Sequence, residues 1–167
     1  VPMVDFEAPV GRPSDDRRLA MFRRCSQVLW RLEAEGLEHL PSEGPVIFCS
    51  NHESHFDGLW IASVLPEERR RRLGILAKKE HFDHWLNRQF ARLIGAIPID
   101  RDAAAVEALA KGRAVLDQGR SLIIHPEGTR TRDGDLLPFR KGAAVLSLVT
   151  GVPLMPVYLS GAFQVFA

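Results

Sequence analysis

Apolar residues recur at two different periods along this chain, and segments of the two kinds alternate. Residues 17–35 predict an amphipathic helix, because apolar side chains recur there every three or four positions with arginines between them. Its apolar face consists of Phe22, Cys25, Leu29 and Leu32. Short apolar runs predict five strands, at Val46–Cys49, Leu73–Ala77, Ile97–Ile99, Leu122–Ile124 and Leu154–Leu159. Helical spacing predicts further helices at Phe56–Val64, Phe82–Leu93, Ala103–Gln118 and Phe139–Val149.

Strands that alternate with helices are typical of the α/β class. We therefore expect a single layered domain with a largely parallel central sheet flanked by helices, preceded by the N-terminal amphipathic helix. Residues 1–40 are expected to form an N-terminal extension with that helix, and residues 41–167 the folded domain. The chain stays apolar to its last residues without a closing signal, so this domain is expected to be incomplete at its C-terminus.

Composition and charge narrow the class of protein. The 167 residues include 22 Lys+Arg and 21 Asp+Glu, which gives a net charge of +1, and 46% of them are hydrophobic. This is ordinary globular composition without the basic excess of a dedicated nucleic-acid binder, so we expect no nucleic-acid partner. Cys25 and Cys49 are expected to be free thiols, with one disulfide as the alternative.

The C-terminal segment 142–167 carries no charged side chain and is long enough to span a bilayer. Glycines and prolines interrupt it at Gly151, Pro153, Pro156 and Gly161. A core helix, a turn and a buried strand are therefore favoured over a transmembrane helix.

Polar residues gather behind three of the predicted strands, at positions 51–57, 100–101 and 125–132. In open parallel sheets chemistry lies just beyond the carboxyl ends of the strands, so we expect these clusters to share one edge. In the first cluster, a turn from strand to helix can bring the Asp57 carboxylate to a ring nitrogen of His52. Such a carboxylate fixes the histidine tautomer and leaves the other nitrogen free as a general base.

Three other interpretations of the first cluster stay open. A zinc site would use His52, His55 and Asp57, although the histidines are three positions apart and the helical zinc motif needs four. A serine hydrolase would use Ser50 or Ser54 as its nucleophile, but the chain has no Gly-x-Ser-x-Gly elbow. In the third, structural interpretation, His52 and Asp57 only cap the helix.

The third cluster, His-Pro-Glu-Gly-Thr-Arg-Thr-Arg, predicts a phosphate site. Gly128 lets the backbone approach a ligand, Thr129 offers a hydroxyl, and the planar fork of Arg130 matches phosphate oxygens. Arg101, in the second cluster, can face the same pocket. The alternative is a polar loop whose arginines pair only with the acidic residues of the same loop.

Four blocks in this order resemble the glycerophospholipid acyltransferase family, which includes 1-acylglycerol-3-phosphate and glycerol-3-phosphate acyltransferases. They are Asn-His-x4-Asp at 51–57, Gly-Ala-Ile-Pro-Ile-Asp-Arg at 95–101, Pro-Glu-Gly-Thr-Arg at 126–130 and Val-Pro-Leu-Met-Pro-Val at 152–157. The resemblance implies transfer of an acyl group from acyl-CoA or acyl carrier protein to a lysoglycerophospholipid hydroxyl, as in 1-acylglycerol 3-phosphate.

The resemblance also implies roles for single residues. The catalytic pair of the family matches His52 and Asp57. Positions that hold the phosphorylated acceptor match Arg101, Glu127, Gly128, Thr129 and Arg130. Glu127 is expected to hold an arginine in place. No metal is implied, and no cofactor besides the acyl-CoA or acyl carrier protein co-substrate.

Two residues depart from the family pattern. His125 stands where an aromatic residue commonly precedes Pro-Glu-Gly, which can alter acceptor choice, and Thr131 stands where a serine is common. An acyl thioesterase on the same site and a non-catalytic lipid-binding module are the alternative functions.

Because the implied substrates are lipids, we expect the protein to bind a membrane surface peripherally, at the cytoplasmic face of the cell membrane. The Arg-rich helix at 17–35 can lie on an anionic surface, and its packing on the domain is the alternative.

Overall fold

A parallel sheet between two layers of helices organises the chain. The computed structural model describes residues 13–78, 91, 93–99 and 105–166. In chain order the elements are α1 (Pro13–Trp30), β1 (Ile47–Ser50), α2 (Asp57–Val64), α3 (Glu67–Arg71), β2 (Leu73–Lys78), β3 (Ala96–Ile99), α4 (Ala105–Asp117), β4 (Ser121–Ile124), α5 (Gly142–Thr150), β5 (Leu154–Val157) and α6 (Ala162–Phe166). A short 3-10 helix, Leu37–His39, follows α1.

The strand order is β3-β2-β4-β1-β5, and neighbouring strands are parallel throughout. The α/β class with a parallel sheet is therefore confirmed, and the proline-containing β3 is an edge strand, where a proline is tolerated. Cys49 of β1 pairs with Ile124 of β4, so the two strands end side by side. The loops that follow β1 and β4 consequently leave the sheet next to each other, at the carboxyl ends of the strands.

Each face of the sheet has its own apolar layer, because successive strand residues point to opposite faces. The layer beneath α1 and α2 includes the buried residues Leu19, Phe48, Leu59, Ile75 and Ile123. The layer beneath α4 and α5 includes Ile47, Ile97, Val115, Leu122 and Leu146. Burial of both faces explains why β1 and β4 read as continuous apolar runs.

Helix α1 differs from its prediction in extent. It begins at Pro13, where proline is favoured in a first turn, and it ends at Trp30 instead of Glu35. Arg31 adopts a left-handed backbone conformation (φ 52°), and the Leu32 amide donates to the Ser26 carbonyl. These two features turn the chain out of the helix.

The buried face of α1 also differs from the prediction. Leu19 and Ser26 are buried, and Phe22 stacks on Phe56 with ring centroids 6.1 Å apart. Ser26 faces inward because its hydroxyl accepts a hydrogen bond from the buried Trp60 indole, a contact that an apolar pattern does not reveal. The predicted Cys25 and Leu29 are exposed instead.

An exposed apolar surface remains on the other side of this helix. We call it the α1 apolar strip; its members are Met21, Cys25, Val28 and Leu29.

The remaining elements lie within a few residues of their predicted positions. The helix predicted at Phe82–Leu93 falls almost wholly outside the described residues, and α3 and α6 were not predicted. The uncharged C-terminal segment forms the predicted helix and strand as α5 and β5, followed by α6. The expectation that this strand is buried is wrong, because β5 is an edge strand whose residues alternate between exposed and half-buried. Among the helices described, none is long and apolar enough to span a bilayer. Cys25 and Cys49 are free thiols, as predicted.

Candidate active site

His52 and Asp57 form the pair that their spacing predicts. His52 lies two residues beyond β1, and Asp57 is the first residue of α2. The His52 Nδ1 atom and the Asp57 Oδ2 atom are 2.8 Å apart. Because a carboxylate only accepts, this bond places the histidine proton on Nδ1 and leaves Nε2 as an unprotonated base. The His52 side chain is 23% exposed and that of Asp57 is fully buried, so the pair reaches solvent through His52.

Asp57 also stabilises the loop that carries His52. The same Oδ2 atom accepts hydrogen bonds from the backbone amides of Glu53 and Ser54, at 2.8 and 2.9 Å. These amides precede the helix, where donors lack an intrahelical partner and negative charge is favoured. The structural interpretation of Asp57 is therefore compatible with the catalytic one, because a single oxygen both holds the loop and orients the imidazole.

The loop after β4 binds both backbone polar groups of His52. The His52 amide donates to Glu127 Oε1 at 2.7 Å, and the His52 carbonyl accepts from the Thr131 amide at 2.9 Å. The second oxygen of Glu127, Oε2, accepts from the Leu137 amide at 2.9 Å. The buried Glu127 carboxylate therefore joins the end of β1 to two points of this loop.

The described residues place backbone amides, not an arginine, on Glu127, and the expectation that it holds an arginine stays a prediction. Both of its oxygens bind backbone amides, and no ion pair to Glu127 occurs in the described part of the chain. Its influence on an acceptor site is thus indirect, through the position of the loop.

Two further buried polar residues anchor the His52 loop on the segment after β5. The Asn51 side chain accepts from the Leu159 amide at 2.8 Å and donates to the Leu159 carbonyl at 2.9 Å. Glu53 accepts from Asn51 and from the Phe163 amide, both at 2.9 Å. Sequence reasoning assigned neither residue a role. The available signal was their position beside His52, at the end of a buried strand.

The predicted phosphate residues lie on the anchored loop after β4. Gly128 and Thr129 are exposed and Arg130 is half-buried. Gly128 has φ +73°, and a Cβ atom there would lie 2.8 Å from Arg140 Nε, so the Arg140 guanidinium packs directly on this glycine. Sequence reasoning did not assign Arg140 to the site. Arg101 lies outside the described residues, and its role stays a prediction.

Acidic residues of this loop do not neutralise its arginines. No salt bridge to Arg130, Arg132 or Arg140 occurs among residues 13–78, 91, 93–99 and 105–166. Asp133 instead accepts from the Thr131 hydroxyl at 2.9 Å, and this hydrogen bond lowers the pKa of the Asp133 carboxyl. Guanidinium groups without a carboxylate partner suit an anionic ligand with several oxygens.

His125, at the end of β4, lies against the ring of His52. The two ring centroids are 3.9 Å apart and the ring planes differ by 9°. His125 Nδ1 is 2.8 Å from Ser50 Oγ and 3.2 Å from the Asn51 carbonyl oxygen. Burial, reinforced by the neighbouring His52, lowers the pKa of His125 to about 4, so its ring is neutral at ordinary pH.

The zinc site with His55 is not formed. His55 is exposed, and the group of metal-type ligands in the described residues is His52, Asp57 and His125, with donor atoms within 4.8 Å of one another. A histidine binds zinc in its ring plane at about 2.0–2.1 Å. Because the two stacked rings are nearly parallel, their nitrogen lone pairs do not converge on one point. This arrangement fits a base with two supporting groups better than a metal centre.

The alternative nucleophiles are poorly placed for covalent catalysis. Ser50 is 1% exposed and Ser54 is fully buried. Burial also raises the pKa of the Cys49 thiol, which disfavours its thiolate. Among these groups, none offers an accessible activated nucleophile.

The fold and the two motifs that meet at this site, at 51–57 and 126–130, define the class of protein. The chain belongs to the acyltransferase family, whose sequence model matches residues 31–160. A 1-acyl-sn-glycerol-3-phosphate acyltransferase of Limnanthes douglasii is 37% identical over 133 residues, which are 78% of this chain and 45% of that protein. The human 1-acyl-sn-glycerol-3-phosphate acyltransferase alpha is 33% identical, over 78% of this chain and 46% of its own length. The chain thus spans less than half the length of these curated relatives.

A solved structure has the same fold. The crystal structure of PlsC, the 1-acyl-sn-glycerophosphate (LPA) acyltransferase of Thermotoga maritima, superposes with a TM-score of 0.68 at 25% identity. The match covers 89% of this chain and 58% of PlsC. The resemblance carried by the four sequence blocks is thereby confirmed at the level of the family.

Replacement of Glu127 tests the anchoring of the loop. Glu127→Gln is expected to lower the free energy of unfolding by about 1–3 kcal/mol, because glutamine has one acceptor oxygen for two buried amides. Urea denaturation measures this change. The matched control is Asp135→Asn, an exposed change in the same loop that is expected to stay within about 0.5 kcal/mol. Indistinguishable curves for the two variants would contradict the anchoring role.

Proposed function

We propose that this protein transfers a fatty acyl group from acyl-CoA or acyl carrier protein to the free hydroxyl of a lysoglycerophospholipid, in phospholipid biosynthesis. The observation that carries the proposal is the His52–Asp57 hydrogen bond, which leaves Nε2 free to act as a base beside a loop whose arginines form no salt bridge with the described residues. A base and a set of cations suit a substrate with both a hydroxyl and a phosphate. The names of the relatives favour 1-acylglycerol 3-phosphate as that substrate.

The reaction is a single displacement. His52 Nε2 takes the proton of the acceptor hydroxyl while the hydroxyl oxygen forms a bond to the thioester carbonyl carbon. The tetrahedral intermediate then expels the thiolate, which receives the same proton from the His52 imidazolium. Asp57 stabilises that imidazolium, and base catalysis of this kind contributes about 10²–10⁴-fold. No acyl-enzyme, metal or further cofactor enters this scheme.

The acceptor phosphate binds the loop after β4 in this proposal. Arg130 provides a bidentate fork, and Gly128 and Thr129 line the approach of the phosphate. Arg140 belongs to the same cationic group by its contact with Gly128. Holding the phosphate here places the hydroxyl near Nε2, and such positioning supplies much of the remaining acceleration.

An acceptor screen tests the proposal directly. One acyl-CoA is offered with glycerol 3-phosphate, lysophosphatidate or another lysophospholipid, and the products are identified by mass spectrometry. We expect an acylated lysophosphatidate and little free fatty acid. Free fatty acid at the same rate with and without acceptor would indicate a thioesterase, and the absence of any turnover would favour a lipid-binding module.

The catalytic pair is tested by two substitutions. His52→Ala is expected to lower kcat by at least about 10²-fold with donor binding nearly intact. Asp57→Asn is expected to lose most activity, because an amide donating to Nδ1 forces the histidine proton onto Nε2. Circular dichroism controls for folding. A folded His52→Ala variant with turnover near that of the wild type would remove His52 from the mechanism.

The phosphate site is tested by a kinetic comparison of two substrates. Arg130→Ala is expected to raise the KM for the acceptor roughly 10–100-fold and to change the KM for acyl-CoA much less, because a bidentate charge-assisted contact is lost. Arg130→Lys should restore only part of the affinity, since it keeps the charge without the fork. Arg113→Ala, on α4, is the control. Equal changes for both substrates, with a lower melting temperature, would mean that Arg130 only braces its loop.

We also propose that the protein binds the cytoplasmic face of the cell membrane peripherally. The α1 apolar strip supports this, since Val28 is 81% exposed and Met21 and Leu29 are each 65% exposed. Exposed arginines flank the strip at Arg17, Arg18, Arg24 and Arg31. An apolar strip between cations suits a helix lying in an anionic lipid interface.

Liposome flotation measures this association. Wild-type protein is expected to float with anionic vesicles and to be released by salt or alkaline washing. Replacing Val28 and Leu29 by glutamate should abolish flotation, because charged side chains oppose insertion of the strip. Val106→Glu removes an exposed apolar residue from α4 and serves as the matched control. If the double variant floats as well as this control, the strip is not the binding surface.

A further inference from the structure

We propose that His125 is a positioning residue for the reaction: its ring, stacked on His52, fixes the plane of the general base so that Nε2 faces the acceptor hydroxyl. The inference rests on the proposed function of His52. It gives a role to the residue that departs from the family pattern before Pro-Glu-Gly.

The two supports of His52 act in different directions. The Asp57 bond to Nδ1, 2.8 Å long, acts within the ring plane and fixes the tautomer. A single hydrogen bond of this kind still leaves the imidazole some rotation about its Cβ–Cγ bond. His125 covers one face of the ring at a centroid distance of 3.9 Å and blocks that rotation. Together the two contacts leave one orientation for Nε2.

His125 is itself held by the end of β1. Its Nδ1 atom lies near the Ser50 hydroxyl and the Asn51 carbonyl. Because a carbonyl only accepts, Nδ1 carries the proton of His125, and Nε2 of this ring is unprotonated. The stack therefore joins β1 to β4, which are neighbours in the sheet.

The charge state of His125 suits this role. The groups that face it are the His52 ring, the Asp57 carboxylate, the Ser50 hydroxyl and the Asn51 carbonyl. Burial keeps the ring neutral, so it neither takes the acceptor proton nor repels the His52 imidazolium that proton transfer creates. A neutral aromatic face instead attracts a cation stacked upon it. His125 thus supports His52 in both protonation states.

Three substitutions separate stacking from other roles of His125. His125→Phe keeps an aromatic face and removes both nitrogens. His125→Leu fills much of the space without an aromatic face, and His125→Ala removes the group. Each is assayed beside the wild type and His52→Ala for kcat, for the KM of both substrates, for the pH profile and for thermal stability.

We expect His125→Phe to keep kcat within about threefold of the wild type, with the same pH profile, because the stacked face is retained. His125→Leu and His125→Ala should lose roughly 10–100-fold in kcat with little change in either KM, as expected for a misplaced base. Equal activity of the Phe and Leu variants would reduce His125 to a space-filling role. A Phe variant as inactive as the Ala variant, or loss of an ionisation from its pH profile, would mean that the His125 nitrogens take part in the chemistry.

Nitrogen-15 NMR of the histidine rings tests the same proposal without turnover. The wild type and His125→Phe should show His52 as a single tautomer with its proton on Nδ1. His125→Leu should show averaged or exchange-broadened His52 signals. A well-ordered His52 ring in the Leu variant, or a His125 that titrates near its ordinary value of about 6.5, would overturn the proposal even if the acyltransferase assay failed.

Discussion

A buried carboxylate, that of Glu127, holds together the two loops on which the candidate site depends. Burying such a group is costly unless hydrogen bonds satisfy it, and here two backbone amides far apart in sequence do so. One of these amides belongs to His52. The position of the proposed base in space is therefore fixed relative to the Pro-Glu-Gly-Thr-Arg loop. Neither loop can shift without leaving a buried charge unsatisfied.

The sheet makes this coupling possible. Since β1 and β4 are neighbours and run parallel, their carboxyl ends deliver His52 and His125 to the same place. Apolar layers on both faces keep the strands from moving against each other. The polar connections, in contrast, are made beyond the strand ends, where Asn51, Glu53, Asp57 and Glu127 are all buried and hydrogen-bonded. A rigid apolar base therefore supports a polar network that fixes two loops.

Features set by neighbours in sequence were predictable, and features set by distant contacts were not. The order of strands and helices follows from hydrophobic periods, and the His52–Asp57 bond spans five residues within one turn. Glu127, however, meets an amide 75 positions away, and Ser50 meets His125 across the same separation. The prediction of which face of α1 points inward was wrong for the same reason: the Trp60 indole donates a hydrogen bond to Ser26 and so places that residue inside. Nothing in the local pattern of those residues specifies their partners.

The groups that the network leaves unsatisfied define what the site can bind. Nearly every buried polar side chain around His52 has a partner, but Asp57 Oδ1 accepts no hydrogen bond within the described residues. A buried carboxylate with one oxygen unsatisfied gains from a cation beside it, which favours the imidazolium that His52 becomes on taking a proton. On the solvent side, the groups that have no carboxylate or hydrogen-bond partner among the described residues are the base nitrogen and the guanidiniums of the loop after β4. The site therefore lacks two things, a proton to accept and an anion to hold, and a phosphate-bearing alcohol supplies both.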